Sequence, residues 1–392
     1  MNRKMAAGLA VTAGALVTLA ACSTPSNSSS SSTAPASSTA SAGASPAASA
    51  SSSAASGGAS SIVGSSSFND ASLQALTSKI QSAIGSKSLS GVKIAMITNG
   101  NSSYWNEAKA GWNAAVKWLD AMGAAGEFEE PTSSTASVQV SLLETLTSQG
   151  YTGWGVSAVT AQSLATPIKQ AEAKGLDVVS FDSPLAGTQL YIGTPNTTAG
   201  CDGGKAMTEA IGSGDVVAIS GSLTAANTQQ RVAGFEQCAG SGVKVVQTLN
   251  DNQDVDTAVS DLQAAIQANP NIKGIYGVYS YDGGAAGEAV QASGNSGKIT
   301  IISDDGEAET VSDVKSGLIA ASMLQRPYYQ GYMLAYVLAA DKALGSSATM
   351  ALVKPYFATG LSDTLSTGVG VMTKANVSDF TSFWNSIGIQ SQ

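Results

Sequence analysis

Residues 93–98 read Lys-Ile-Ala-Met-Ile-Thr, and residues 105–119 read Trp-Asn-Glu-Ala-Lys-Ala-Gly-Trp-Asn-Ala-Ala-Val-Lys-Trp-Leu. The first run is almost continuously apolar, which is typical of a strand that is buried on both faces. The second run predicts an amphipathic helix. Its apolar stripe consists of Trp105, Ala108, Trp112, Ala115, Val116 and Leu119. A buried strand followed by such a helix indicates an α/β fold.

The same unit repeats along most of the chain. Apolar runs predict further strands at 154–159, 177–181, 216–220, 243–248, 274–278, 299–303 and 319–323. Helical patterns predict helices at 161–173, 200–211, 230–239, 257–268, 284–292, 307–316 and 328–343. Apolar strands that alternate with helices favour parallel sheets covered on both faces. We therefore expect an α/β protein with two doubly wound parallel-sheet lobes.

The length of the two series sets the expected lobe boundaries. We assign 92–196 and 326–358 to an N-terminal lobe, and 197–325 and 359–392 to a C-terminal lobe. The chain would then cross between the lobes three times, near 194–197, 325–327 and 358–361. These crossings would form a hinge.

The N-terminus carries the pattern of an export signal. Arg3 and Lys4 precede an apolar run that ends in Leu19-Ala-Ala-Cys22. This ending resembles the lipobox of bacterial lipoproteins, which implies cleavage after residue 21 and lipid on Cys22. An ordinary signal peptide with an incidental cysteine is the alternative.

A tether follows the signal. Residues 22–66 are nearly all Ser, Ala, Gly, Thr and Pro, a composition that cannot bury enough apolar surface to fold. Residues 67–91 predict a helical lead-in, with Leu73, Leu76, Ile80 and Ile84 at helical spacing. The mature protein is therefore expected outside the cytoplasm, lipid-anchored to the outer face of the bacterial cell membrane.

Composition excludes several functions. Without the signal, 17 basic and 28 acidic residues give a net charge of −11, which argues against a nucleic-acid partner. The chain has no histidine, so Ser-His-Asp catalysis and His-based metal sites are excluded. We expect no cofactor and no metal, and we expect a monomer.

Two cysteines remain after Cys22. Cys201 and Cys238 lie on consecutive predicted helices that flank one strand. In an oxidising compartment such a pair can form a disulfide. Two buried free thiols are the alternative.

Ligands of open parallel sheets bind beyond the carboxyl ends of the strands, so the polar residues there are candidate ligand contacts. The segments in question include Asn101-Ser-Ser-Tyr104-Trp105, Phe181-Asp182-Ser183, Gly193-Thr-Pro-Asn196, Arg231-Val-Ala-Gly234-Phe235, Ser303-Asp304-Asp305-Gly306 and Gln325-Arg-Pro327. These motifs resemble the periplasmic sugar-binding proteins of ABC importers, of the ribose and galactose type (type I). The resemblance extends over about 92–380.

The chemistry of sugars assigns roles to some of these residues. Aromatic rings cover the C–H faces of a sugar, while carboxylates and amides bind its hydroxyls. Tyr104 and Trp105 would form an apolar platform. Asp182 and Asp305 would accept hydrogen bonds from hydroxyls, and Gln325 would both donate and accept.

The chain departs from the family pattern at four positions. Gln229 stands where the family has an arginine, and Ser183 stands where an arginine often follows the aspartate. The family pattern also places an aromatic residue near Gln253 and an Asn near Tyr279. These changes put a ribose ligand in doubt. Tyr279 and Tyr281 would form a second aromatic wall instead. The expected ligand contacts are Asn101, Tyr104, Trp105, Asp182, Ser183, Gln229, Arg231, Gln253, Tyr279, Tyr281, Asp305 and Gln325.

Other roles remain open for several of these residues. Trp105 also lies on the apolar stripe and could be a core residue. Asp182 could cap a turn before Pro184, and Arg231 could support the site without contacting ligand. Asp304 and Asp305 could cap the following helix, and we expect Asp304 to do so.

The acidic run Asp251-Asn-Gln-Asp254-Val-Asp256 resembles a calcium loop only in its spacing. It lacks the central Gly and the terminal Glu of an EF-hand. Capping of the next helix by Asp254 or Asp256 is the preferred interpretation.

The resemblance implies a lipid-anchored extracytoplasmic solute-binding protein. It would capture a small neutral carbohydrate or polyol between two lobes and deliver it to the membrane subunits of an ABC importer. A sugar-sensing receptor without transport is one alternative. A glycosidase that uses Asp182 and Asp305 is another, although the resemblance implies binding without turnover.

Overall fold

A computed structural model describes residues 71–185 and 187–389. The predicted signal segment, the lipidation site Cys22, the tether and residues 67–70 lie outside these ranges. All described residues belong to one compact unit.

The chain runs through three segments. The first contains α1 (Ala71–Ile84), β1 (Lys93–Ile97), α2 (Trp105–Asp120), β2 (Ala125–Glu129), α3 (Ala136–Leu146), β3 (Gly153–Val156), α4 (Ala161–Ala173), β4 (Asp177–Phe181) and β5 (Tyr191–Gly193). The second contains α5 (Asn196–Ile211), β6 (Gly214–Ser220), α6 (Ala226–Cys238), β7 (Val243–Asn250), α7 (Val255–Ala268), β8 (Ile272–Gly277), α8 (Asp282–Ala292), β9 (Thr300–Asp304), α9 (Ala308–Ser316) and β10 (Ile319–Leu324). The third contains α10 (Pro327–Leu344), α11 (Ser346–Val353), β11 (Thr364–Ser366), β12 (Gly370–Met372) and α12 (Val377–Ser386).

These strands form two six-stranded sheets. The first has the order β11-β5-β4-β3-β1-β2, and the second has the order β12-β10-β9-β8-β6-β7. Every neighbouring pair is parallel except β10 and β12. The predicted architecture of two doubly wound α/β lobes is confirmed.

Helices cover both faces of the first sheet. Residues such as Ile94 and Met96 of β1 pack with α1, α2 and α10, whereas Ala95 and Ile97 pack with α3 and α4. Alternate residues of a strand point to opposite faces, so a strand covered on both faces must be apolar throughout. This explains the continuous apolar runs in the sequence.

Glycine lets two helix pairs approach closely. A Cβ atom on Gly111 of α2 would overlap the carbonyl oxygen of Tyr328 in α10. In the second lobe, a Cβ on Gly200 of α5 would overlap the carbonyl oxygen of Arg231 in α6. Each lobe therefore contains one helix pair whose spacing only glycine permits.

A disulfide joins the second of these pairs. Cys201 of α5 and Cys238 of α6 are bonded, and their Cα atoms are 4.9 Å apart. Of the two alternatives for these cysteines, the structure has the covalent link.

The predicted lead-in helix corresponds to α1. Leu73, Leu76, Ile80 and Ile84, the four residues at helical spacing, are all buried. Because they pack into the same core as α2 and α10, α1 is part of the first lobe.

The last crossing between the lobes was expected at 358–361, and this prediction is wrong. β11 pairs with β5 in the first sheet, and β12 pairs with β10 in the second. The chain therefore crosses at 367–369, and residues 359–366 belong with the first lobe. The other two crossings lie at 194–195 and 325–326, between β5 and α5 and between β10 and α10.

Candidate functional site

A cavity of about 240 Å³ lies between the carboxyl ends of the two sheets. Loops that follow strands of both lobes line it, as expected for open parallel sheets. Ten of the twelve predicted ligand contacts lie in its wall: Asn101, Tyr104, Trp105, Asp182, Arg231, Gln253, Tyr279, Tyr281, Asp305 and Gln325. The strand-end rule thus selected a real cluster of polar and aromatic side chains.

Asp182 is the acid of the first lobe. It follows β4 directly, has a left-handed backbone (φ 57°) and is 3% exposed. The Tyr104 hydroxyl donates to its Oδ1 at 2.9 Å, and the Ser157 hydroxyl donates to its Oδ2 at 2.8 Å. Burial raises the pKa of Asp182, while Ser157, Arg231 and Tyr104 act against this rise. The carboxyl group is therefore fixed in position by two hydroxyl groups.

Asp305 is the acid of the second lobe and also has a left-handed backbone, with φ 63°. Its Oδ1 accepts from the backbone N–H of Gln325 at 3.1 Å, and its Oδ2 accepts from Gln325 Nε2 at 2.9 Å. Thr194 donates to Gln325 Oε1 at 3.0 Å. Because Thr194 and Gln325 lie on two of the crossings, Asp305 is bonded directly into the hinge.

Arg231 is the buried cation of the site and is only 1% exposed. Its Nη1 lies 3.1 Å from Asp304 Oδ2, and its Nε donates to Asn196 Oδ1 at 3.0 Å. Burial opposes its charge, but Asp304 and Asp305 outweigh this effect and raise its pKa. Among the described residues, no acceptor bonds to the buried Nη2, and Arg231 lines the cavity.

The prediction that Asp304 caps the next helix is wrong. Asp304 is the last residue of β9 and accepts from Arg231 and from the Tyr276 hydroxyl. The residue at the start of α9 is Glu307, whose side chain makes no capping bond. Asp304 instead forms an ion pair with Arg231 and holds its guanidinium group in place.

Aromatic side chains form two parts of the cavity wall. Tyr104 and Trp105 meet edge to face at 4.9 Å, and Trp105 also packs against Phe181 at 5.8 Å. Trp105 is 2% exposed and belongs to the hydrophobic core, so it has the core role that its stripe position allowed as well as a place in the wall. On the other side, Tyr279 and Tyr281 meet edge to face at 6.2 Å.

A model of the periplasmic binding protein domain family matches residues 92–343, which cover five of the six strands of each sheet and the residues that line the cavity. The chain belongs to this family. Its two sheets and its interlobe cavity are those of a periplasmic binding protein.

Three relatives of this periplasmic binding protein are informative. The D-allose-binding periplasmic protein of Escherichia coli K12 is 24% identical over 57% of this chain and 76% of its own length. An ABC transporter solute-binding protein from Burkholderia graminis, solved with D-arabinose, is 29% identical with a TM-score of 0.65, covering 74% of this chain and 98% of that one. Another from Agrobacterium vitis, solved with α-D-tagatopyranose, is 25% identical with a TM-score of 0.63, covering 74% and 96%.

Two predicted contacts of this periplasmic binding protein lie outside the cavity wall. Gln229 is exposed on α6 and donates to the carbonyl of Leu223 at 3.1 Å. Residues two apart on a helix point in nearly opposite directions, so Gln229 cannot share a face with Arg231. Ser183 is buried, with its N–H donating to the carbonyl of Phe181. It does not line the cavity.

The sequence interpretation missed several residues of the wall. Asn227 stands four residues before Arg231, so the two share one face of α6, and helical spacing would have identified it. Glu307 also lines the cavity, and its Oε1 accepts from Ser280 at 2.7 Å and from Ser103 at 3.2 Å. Because Ser103 belongs to the first lobe and Glu307 to the second, this contact spans the cleft.

A second contact between the lobes involves Glu107 of α2. Its Oε2 accepts from the indole N–H of Trp384 in α12 at 2.8 Å, and its Oε1 accepts from the N–H of Tyr328 at 3.3 Å. Burial raises the pKa of Glu107 to about 8. A carboxyl group with such a pKa changes its charge near neutral pH, so this contact between the lobes should depend on pH.

The acidic run at 251–256 follows the preferred interpretation. Asp254 accepts from the N–H of Thr257 at 2.7 Å and caps α7. Within 71–185 and 187–389, no three acidic or cysteine side chains are grouped as metal ligands. Among the described helices, none has the length and apolarity needed to cross a membrane.

Proposed function

We propose that this periplasmic binding protein captures a small neutral carbohydrate or polyol between its lobes. The observation that carries the proposal is the convergence of Asp182, Arg231 and Asp305 on one cavity with aromatic walls. Each charged group already has partners within the protein, so the site offers hydrogen bonds and does not require an ionic ligand. Tyr104 and Tyr279 provide flat apolar surface for the C–H faces of a ring.

The sugars bound by relatives define the first ligand panel. Thermal-shift measurements would use D-allose, D-arabinose and D-tagatose, with D-ribose, D-xylose, sorbitol and maltose added, followed by calorimetry. A ligand present at a hundred times its dissociation constant should stabilise the folded state by about 2.7 kcal/mol. If no sugar or polyol shifts the transition, the proposed ligand class is wrong.

Two neighbouring positions on α6 provide a matched test of the site. Asn227→Ala removes an amide from the cavity wall, whereas Gln229→Ala changes an exposed side chain of the same helix. We expect the first to weaken sugar binding and the second to leave the affinity unchanged. Equal effects would contradict the assignment of the wall.

Asp305→Ala tests the acid of the second lobe. Each hydrogen bond from a sugar hydroxyl to a charged carboxylate contributes about 1.5–3 kcal/mol. Loss of two such bonds should weaken binding by roughly 10² to 10⁴. Full affinity in this variant would remove Asp305 from the site.

We further propose that the chain binds sugar without turning it over. The relatives reported above are named as binding proteins. Incubation of the sugar panel with the protein, followed by NMR, should show no product. Product formation would instead favour the glycosidase alternative.

Delivery to an ABC importer and attachment through lipid on Cys22 complete the proposal. Mass spectrometry of the mature N-terminus should find a lipid-modified Cys22, and Cys22→Ala should release the protein from the membrane. Deletion of the chain should abolish uptake of the bound sugar. Unchanged uptake would favour the sensing alternative.

A further inference from the structure

Two buried carboxyl groups lie behind the second aromatic wall of the cavity. Asp251 follows β7, and Asp282 is the first residue of α8; both side chains are 0% exposed. Asp251 Oδ1 accepts from the Tyr281 hydroxyl at 2.6 Å and from the N–H of Gln253 at 2.8 Å. Tyr281 and Gln253 both line the cavity, so Asp251 holds two parts of its wall.

Asp282 holds the third part of the same wall. Its Oδ2 accepts from the N–H of Tyr279 at 2.7 Å and from the N–H of Val278 at 3.2 Å. These bonds fix the backbone that carries Tyr279 into the cavity. The tight packing of this region around Gly221 leaves no room for even a Cβ atom, which would meet Tyr281, Gln253 and Tyr279 within 2.7 Å.

Within the described part of the chain, the second oxygen of each carboxyl group, Asp251 Oδ2 and Asp282 Oδ1, is buried without an N–H or O–H donor. The two side chains are within hydrogen-bonding reach of each other. Within the described ranges, neither carboxyl forms an ion pair with Lys or Arg. Two carboxylates in contact cannot both stay ionised in a buried site without a cation.

We propose that Asp251 and Asp282 share one proton, and that this acid pair joins the β7–α7 and β8–α8 loops and positions Gln253, Tyr279 and Tyr281. The bond runs from the protonated oxygen of one carboxyl to the free oxygen of the other. The importance of this positioning for ligand rests on the proposed function, whereas the shared proton itself does not.

The electrostatic surroundings support a shared proton. Burial raises the pKa of both acids, and the negative charge of Asp251 raises that of Asp282 further. The other titratable groups that face the pair are Tyr281, bonded to Asp251, and Tyr279, next to Asp282. Burial raises the pKa of both tyrosines, so they stay neutral and add no charge beside the pair.

Asparagine substitutions distinguish a shared proton from two separate acids. In Asp282→Asn, the new amide must keep its oxygen toward the N–H of Tyr279, so its NH₂ group points at Asp251 and replaces the shared proton. In Asp251→Asn, the same argument directs the NH₂ group at Asp282. Either single variant keeps one donor and one acceptor at the contact. The double variant places two NH₂ groups against each other.

The measurement is urea unfolding of the ligand-free protein between pH 5 and 6.5. In the wild type, the folded state holds one proton that the unfolded chain has released, so stability falls as the pH rises. Neither single variant has this proton. The unfolding constant of the wild type, divided by that of either single variant, should therefore rise about tenfold per pH unit.

The double variant gives a second result at constant pH. The effect of each variant is the ratio of its unfolding constant to that of the wild type. The effect of the double variant should exceed the product of the two single-variant effects by at least tenfold, because only the double variant places two donors face to face. A ratio that stays flat with pH in either single variant would overturn the proposal. So would additive single effects in a folded double variant; if the double variant fails to fold, the single-variant slopes decide.

The sugar panel is measured separately on the wild type. A wild type that binds no sugar but shows the pH slope would contradict the proposed function and leave the acid pair standing. The opposite combination would remove the acid pair and leave the binding function standing.

Discussion

Glu107→Gln should become more stable relative to the wild type as the pH rises. The side chain is partly exposed, but Trp384 and Tyr328 enclose its carboxyl group and burial raises its pKa from 4.5 to about 8. The folded state therefore keeps a proton that the unfolded chain loses above about pH 4.5, and the wild type loses stability between that pH and about 8. Glutamine is neutral at every pH and has no such loss.

The size of the effect follows from the pH interval. Three pH units at about 1.36 kcal/mol each give about 4 kcal/mol. Incomplete protonation near both ends of the interval, together with partial solvent contact, reduces this to about 3 kcal/mol between pH 5 and 8.

Urea unfolding at pH 5, 6, 7 and 8 measures this difference directly. Glutamine offers only one acceptor to Trp384 and Tyr328, so it should lose about 1 kcal/mol at every pH without altering the slope. Glu144→Gln, at an exposed position on α3, is the matched control. If the difference between wild type and Glu107→Gln stays constant with pH, the carboxyl group is not desolvated as the structure indicates.

Three further predictions concern packing, the disulfide and closure. Gly200→Ala should destabilise the protein by about 1–3 kcal/mol, because its Cβ overlaps α6. Gly203→Ala on the same helix has ordinary contacts and should stabilise the protein by about 0.5–1 kcal/mol. Equal melting temperatures of the two variants would contradict this prediction. Replacing Cys201 and Cys238 by alanine opens a loop with a sequence separation of 37 and should cost about 4 kcal/mol, measured against the disulfide-bonded wild type; an unchanged midpoint would contradict this. Ser103→Ala removes the hydrogen bond to Glu307 across the cleft and should weaken sugar binding roughly fivefold, as measured by calorimetry. The melting temperature of the ligand-free protein should not fall. A fully retained affinity would show that the contact does not hold the two lobes together around the sugar.

Much of the fold was predictable because burial on both faces leaves a strong signal. The run at 177–181 and the run at 319–323 are mostly apolar, and both are interior strands with a neighbour on each side. β2 was missed because it is an edge strand whose sequence, Ala-Gly-Glu-Phe-Glu, is largely polar. β5, β11 and β12 have three residues each, which is too short for any periodicity to appear.

The error in the last crossing has the same origin. β11 and β12 pair with β5 and β10, so their place is set by backbone hydrogen bonds between distant segments. Nothing in the residues at 358–372 encodes which sheet each strand joins. Helices α3, α11 and α12 were likewise not identified from the sequence.

Some residues of the site could be identified from the sequence, whereas others depend on how the chain folds. Asp182 and Asp305 were found because they follow buried strands directly, where the position of the side chain is tightly constrained. Gln229 was carried over from a family pattern although its spacing from Arg231 contradicts the helix period. Glu307 lay outside the prediction since its bond to Ser103 depends on how the lobes meet.

The hydrogen bonds of Gln325 suggest which part of the site could be changed to engineer a new sugar specificity. Gln325 contacts Asp305 in the cavity and Thr194 on a neighbouring crossing, so its side chain connects the cavity to the hinge. Gln253, Tyr279 and Tyr281 lie on loops that have no part in the crossings. A biosensor could therefore be retuned for a new sugar at these loops while the mechanical output, lobe rotation reported by a fluorophore pair, is left intact.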